Sequence, residues 1–324
     1  MLHVSIVWHV EPGTRYEPNL VVDEGNICSL FDLIDATPDI RHTLLIQADD
    51  SVLSATGRSA YLFERFGSEL SKLAACGHEI GWHFHPIEIT RRGRWQQSSD
   101  QSRICAAAEH AFNDINFAKP ITVCSTGWCY GSNELMATYR KLGLRVDCSA
   151  LPGLFNPGFD VSDRYGNLGL VNNYDWRQSP SRPFNPACEN YQLESSDHEC
   201  TLIQFPALTT RDRLVSLNES VHWYTQAYRG VKRALMEGHD VFLQLYSHSY
   251  NIVRSNQRRH FDSHIALLNA LASETRSTLK FCTVSSAIES WSRTKNSIDL
   301  RSYVGQEAQW ITLGKRLMYK IGVI

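Results

Sequence analysis

Short apolar runs recur along the chain and alternate with stretches of helical period, which is the pattern of strands separated by helices. The runs are Leu2 to Trp8, Thr43-Leu44-Leu45-Ile46, His78 to Phe84, Ile121-Thr122-Val123-Cys124, Leu144 to Cys148, Thr201 to Phe205, Val241 to Tyr246 and Leu279 to Thr283. Between them the periodicity predicts helices over Ile27 to Ile34, Tyr61 to Ala75, Ala106 to Ile115, His260 to Leu271 and Ser285 to Trp291. Cap and stop residues predict two more, one from Ser132 to Gly143 and one from Asn218 to Glu237, with Gly238 as its stop. Residues 149–200 break the rhythm. They are rich in Pro, Gly and Asn, and so long a stretch without clear elements reads as a functional excursion.

About eight strand–helix alternations predict an α/β fold, either a parallel barrel or a doubly wound sheet. In both, the site lies beyond the carboxyl ends of the strands. The polar candidates stand at such ends: His9 and Glu11, Asp49 and Asp50, His83 and His85, and His248. Four separate strands would thus converge on one place. The densest stretch is Gly77-His78-Glu79-Ile80-Gly81-Trp82-His83-Phe84-His85-Pro86. Residues two apart share a strand face, so His83 and His85 point the same way, and Pro86 ends the strand. Two imidazoles on one face at a strand end are half of a metal site; the plain alternative is two surface or core histidines.

Composition narrows the class. The 324 residues are 43% hydrophobic and 20% charged, with a net charge of -2, as in an ordinary soluble globular protein. The mixed charge gives no basic patch and argues against nucleic-acid binding. No window reaches the roughly 18 uncharged apolar residues of a membrane span. Met1 to Val10 has neither a basic segment nor a long apolar core and is not read as a signal peptide. The nine scattered cysteines are therefore expected to be reduced thiols of a cytoplasmic protein, with Cys124 and Cys129 in the core or the site wall.

With these motifs in order, the sequence resembles the polysaccharide deacetylases, the NodB-like carbohydrate esterases, in a divergent branch with a His-x-His-Pro motif. Gly77 to Gly81 followed by His83 looks like that family's second motif, and Leu243 to His248 like the strand that ends in its catalytic His. Gly143 to Ser149 with Pro152-Gly153, and Tyr174 to Pro180, also resemble this branch. The resemblance implies a distorted parallel (β/α) barrel of about seven or eight strands over residues 1–292, with the excursion at about 149–200. It implies a hydrolase that removes an N-acyl group from a sugar with the help of a divalent metal such as zinc. Glu11, His83 and His85 would be the metal ligands, His9 or Asp50 the base that takes the proton of water, and His248 the acid for the leaving amine. Trp128, Tyr130, Trp176 and Tyr250 would stack on sugar faces, and Arg177 would hold a carboxylate or phosphate by its fork. The implied substrate is a sugar-nucleotide or lipid-linked sugar of bacterial surface-polysaccharide synthesis, of the lipopolysaccharide O-antigen type.

The sequence also departs from the family. The first strand ends in His9-Val10-Glu11 in place of the usual paired acids. Ile87 stands where the second His is usual, so His85 must replace it, and no Arg occurs between Arg103 and Arg140. These departures motivate a second hypothesis, a carbohydrate-binding pseudoenzyme of the same fold. Simpler roles remain open as well: Glu11-Pro12-Gly13 as a turn, Asp49-Asp50 as a helix cap, Asp175-Trp176-Arg177 as a structural ion pair, and Asp147 as a solvent-facing strand residue.

Residues 293–324 form a C-terminal extension. Trp310, Leu313, Leu317, Met318 and Ile321 recur at helical spacing beside Lys315, Arg316 and Lys320. Such a helix either docks on its own domain or on a second subunit, as in a homo-oligomer, or rests on a membrane surface.

Overall fold

Leu2–Val10 is buried along its whole length, as expected of a strand covered on both faces. This strand, β1, is the axis of the sheet. A computed structural model describes residues 1–13, 22–89, 95–160, 171–195, 201–211, 213–252, 255–294 and 296–304. In it β1 pairs in parallel with His42–Gln47 (β2), which pairs in turn with Glu79–Phe84 (β3). Val123–Thr126 (β4), Val146–Asp147 (β5) and Ile203–Gln204 (β6) follow in parallel. On its other side β1 pairs with Val241–His248 (β7) and with Leu279–Phe281 (β8). The sheet order is thus β6-β5-β4-β3-β2-β1-β7. The curl is drawn closed where the backbone N–H of Leu208 donates to Gln244 and that of Leu217 to Tyr246. This is the distorted (β/α) barrel expected.

The two faces of each strand do different work. Val4, Ile6 and Trp8 pack outward in one core with the helices, including Ile27, Leu30 and Leu70. Val7, Leu45, Val123, Val146, Phe205 and Phe242 form a second core inside the barrel. The register sets His9 opposite both His248 and Leu45, and Gln47 opposite His83. Three histidines therefore arrive at the same end of the barrel. Beneath His83 stands Gly81, where a Cβ would meet Leu45 Cδ2 and the Val123 carbonyl, each at 2.5 Å. Only glycine lets the three strands approach this closely.

The predicted elements are present, with instructive differences. The helix expected over 61–75 is two, Tyr61–Arg65 and Gly67–Ala75, separated at Phe66 (φ -110°, ψ 17°), where Gly67 lowers helix propensity. Asn218 does not cap a helix. Its stretch runs beside β7, with Ser216 bridged to Tyr246, and the helix begins only at Thr225. Tertiary pairing overrides the cap signal there. The sequence did not announce the hairpin Ile87–Ile89 with Trp95–Gln97. The excursion contains a second hairpin, Phe155–Asp160 with Val171–Asp175. Asp147 is a correction: it is fully buried and accepts hydrogen bonds from Ser149 and Gln204. Burial pushes its carboxyl up to about 6 against those bonds. No described helix is long and apolar enough to cross a membrane. The amphipathic pattern of Trp310 to Ile321 lies outside the described residues.

Candidate active site

At the carboxyl end of the barrel, one carboxylate oxygen gathers three imidazoles. Glu11 Oε1 is 3.2 Å from His83 Nε2, 3.3 Å from His248 Nε2 and 3.8 Å from His85 Nε2. His9 lies beside them, its ring 4.1 Å from that of His83 and 5.3 Å from that of His248. Glu11, His9, His83 and His85 are all buried, and His248 is 17% exposed, which makes it the member nearest solvent. Glu11 is held in place through its backbone. Its N–H donates to Ser249 Oγ, and that hydroxyl donates to its carbonyl, tying the end of β1 to the end of β7.

The outer hydrogen bonds sort the imidazoles by tautomer. His83 Nδ1 lies 3.0 Å from the Ser125 carbonyl, an acceptor, so that nitrogen carries the proton. His85 Nδ1 faces the Asp49 carboxylate at 3.0 Å, again an acceptor. Both therefore turn the lone pair of Nε2 toward Glu11. His248 differs: the Asn251 side-chain amide donates toward its Nδ1 at 3.5 Å, so its Nε2 carries the proton and points at Glu11.

The electrostatics agree with this sorting. Burial raises the Glu11 carboxyl, but the facing His248, His83 and His85 outweigh it and hold the group well below the usual carboxylate range. Burial and the facing His83 and His248 push His9 well below the usual imidazole range. Burial and His85 lower His83 as well, against the pull of Glu11. At neutral pH Glu11 is ionised, and His9 and His83 are neutral. Nε2 of His83 and of His85 both face Oε1 of Glu11, and His9 Nε2 is buried without a hydrogen-bond partner. That donor set fits a divalent cation, and nitrogen with carboxylate oxygen suits zinc and its neighbours. Donor atoms of His9, Glu11 and His83 also lie within 4.8 Å of one another, so His9 can stand in a ligand set.

Some residues that the sequence assigns to this site have other partners in the structure. Asp50 opens the helix Asp50–Thr56 with Asp49, Arg103 and His110 as its charged neighbours, and Asp49 is the acid that meets His85. Asp49 is also the predicted cap, accepting from the N–H groups of Ser51 and Val52. Trp176 presents no stacking face. It is fully buried, donates from Nε1 to the Cys129 carbonyl, and packs with Leu151, Leu154 and Ala207. Arg177 is exposed, but Asp175 already occupies its fork, with Nε–Oδ1 of 3.0 Å and Nη2–Oδ2 of 2.7 Å. Tyr130 is mostly buried, with its hydroxyl bonded to Gln101. Trp128 and Tyr250 remain at the mouth: Trp128 meets the ring of His85 edge-on at 5.4 Å, and Tyr250 stacks on His248 at 4.7 Å.

No protein-family model matches the sequence, and no curated protein is significantly similar to it. Among solved structures, the chain is similar to a candidate glycoside hydrolase/deacetylase from Parabacteroides distasonis, with 13% identity and a TM-score of 0.58 over 92% of this chain and 72% of that one. It is also similar to a candidate polysaccharide deacetylase from Mycobacterium smegmatis, with 11% identity and a TM-score of 0.50 over 92% of this chain and 93% of that one. At these identities the likeness is one of fold, and the fold is the deacetylase-like barrel that the sequence motifs resemble.

Proposed function

We propose that this chain is a divergent member of the polysaccharide deacetylase family, a metal-dependent hydrolase that removes an N-acyl group from a sugar. The observation that carries the reading is the convergence of His83, His85 and His248 on one oxygen of Glu11 at the carboxyl ends of β1, β3 and β7. Glu11, His83 and His85 would hold the ion. When bound, it supplies Lewis acidity to the acyl carbonyl and to the attacking water. His9, neutral and with Nε2 unpartnered, is the base that receives the water's proton. His248 stands at the solvent edge of the cluster, where its imidazolium form would give the Nε2 proton to the leaving amine and return to neutral imidazole. Trp128 and Tyr250 line the approach and offer the sugar their ring faces.

The substrate class follows from the family resemblance: a sugar-nucleotide or lipid-linked sugar of bacterial surface-polysaccharide synthesis. Eight described cysteines are free, which fits a reducing compartment such as the cytoplasm. The mutual closeness of His9, Glu11 and His83 supports a second ligand set in which His9 holds the ion in place of His85. Metal content of His9→Ala separates the two, because a base can be lost without losing the ion.

The test is acetate release from a panel of N-acetylated nucleotide sugars and lipid-linked sugars, with zinc or cobalt supplied, beside His248→Ala. Turnover by the wild type and its loss in the variant support the hydrolase. Binding of such sugars without any acetate release would move the chain to the carbohydrate-binding pseudoenzyme.

A further inference from the structure

We propose that Asp49 is a positioning residue that makes His85 a metal ligand by fixing which ring nitrogen carries the proton. The inference rests on the hydrolase reading above and adds to it a residue outside the ligand set. His85 needs such help. It lies beyond the last residue of β3, so no strand pairing orients it. It also stands two residues after His83, where the related motif spaces its second histidine by four.

One oxygen of Asp49 holds His85 at two points. Oδ2 accepts from the ring Nδ1 at 3.0 Å and from the backbone N–H of the same residue at 3.2 Å. The carboxylate itself is immobile. Oδ1 accepts from the Ser51 N–H at 2.9 Å, the Ser51 hydroxyl at 2.6 Å and the Val52 N–H at 3.2 Å. The Gln47 amide donates to Oδ2 at 2.7 Å, and Asp49 is fully buried. An ionised carboxylate is an acceptor only, so His85 must carry its proton on Nδ1. The lone pair of a neutral His85 then sits on Nε2, the nitrogen that faces Glu11. A carboxylate behind a ligating imidazole fixes its orientation and raises its basicity. The helix that Asp49 caps and the ligand that it orients are thereby one construction.

Asp49→Asn separates the two roles. Asparagine caps a helix as well as aspartate does. The N–H groups of Ser51 and Val52 require an oxygen, so the new NH₂ must face His85 and Gln47, and the bond from the His85 backbone N–H is lost. The Gln47 Oε1, buried without a partner, can accept from it once that amide turns. His85 Nδ1 then becomes an acceptor and the proton moves to Nε2.

The experiment is long-range ¹H–¹⁵N NMR of the imidazoles in metal-free protein, joined to calorimetric titration with cobalt(II). The wild type is expected to show His85 protonated at Nδ1. Asp49→Asn is expected to show it protonated at Nε2, with cobalt affinity lower by about 10- to 100-fold. Ser51→Ala, which removes a donor to the same carboxylate without touching His85, is expected to keep the wild-type tautomer. A wild-type His85 protonated at Nε2 overturns the inference with no variant needed. So does an Asp49→Asn protein that keeps the Nδ1 proton, or one that binds cobalt as the wild type does. Wild-type protein that takes up no cobalt sinks the hydrolase reading instead, and the tautomer measurement then decides the role of Asp49 alone.

Discussion

Gly127 lies directly against the ring of His85: a Cβ built on it would sit 1.8 Å from Cδ2 and 2.3 Å from Nε2. The turn that follows is left-handed at two residues that are not glycine, Trp128 (φ 53°) and Cys129 (φ 57°). Such conformations cost on the order of 1 kcal/mol or more each and persist where the surroundings impose them. Here they fold the end of β4 over the imidazole and set Trp128 edge-on to it. Gly127→Ala must displace the ring. The expected result is a loss of about tenfold or more in metal affinity, read by titration with cobalt.

His83 and His85 separate from His248 by what each removal takes away. Elemental analysis is expected to give roughly one ion per chain in the wild type and none in the double variant His83→Ala/His85→Ala, which should also lose all turnover. His248→Ala is expected to keep the ion and lose about 10²- to 10⁴-fold in kcat, the contribution of a positioned general acid. Equal ion loss in both would put His248 among the ligands.

Trp176 and Arg177 are neighbours with opposite expectations. Trp176→Ala empties a fully buried site and should cost about 3–5 kcal/mol, measured by urea unfolding. Arg177→Ala breaks a pair in which the Arg is 57% exposed, and should change stability by about 1 kcal/mol or less with KM unaltered. A large rise in KM for an anionic substrate on loss of Arg177 would restore it as a substrate contact.

His42 and His264 make the fold sensitive to acid. His42 is buried, accepts at Nδ1 from Trp8 Nε1 and reaches Thr37 through Nε2. Burial, with His78 beside it, lowers its pKa from 6.5 to about 3, and burial lowers that of His264 to about 4. Both are neutral in the folded chain, so the unfolded chain takes up their protons first as pH falls. Their contribution is intact above about 6.5. It is lost at about 1.4 kcal/mol per pH unit for each, down to about 3 for His42 and about 4 for His264. Unfolding free energies between pH 6.5 and 4.5 should fall less steeply in His42→Gln than in the wild type by that slope.

The alternation of apolar runs with helical stretches was enough to specify a parallel α/β sheet, because strands buried on both faces must read as near-continuous hydrophobic segments; it left a barrel and a doubly wound sheet equally open. It also marked the end of the barrel that carries chemistry, since His9, Glu11, His83, His85 and His248 all interrupt or close such runs. The two-residue period placed His83 and His85 on one face. What periodicity encodes is the face of a residue's own element, and nothing about what stands across from it. Only the tertiary structure decided that Asp49, and not Asp50, meets His85, because β2 must first align against β3. It alone showed that Asp147 is buried, that the Trp176 indole is core, and that Asp175 holds the Arg177 fork. It also showed that Ser216 and Leu217 pair with β7 and that no helix starts at Asn218. In each case a distant segment supplies the partner, and its approach is set by strand register and loop packing, which local pattern does not record.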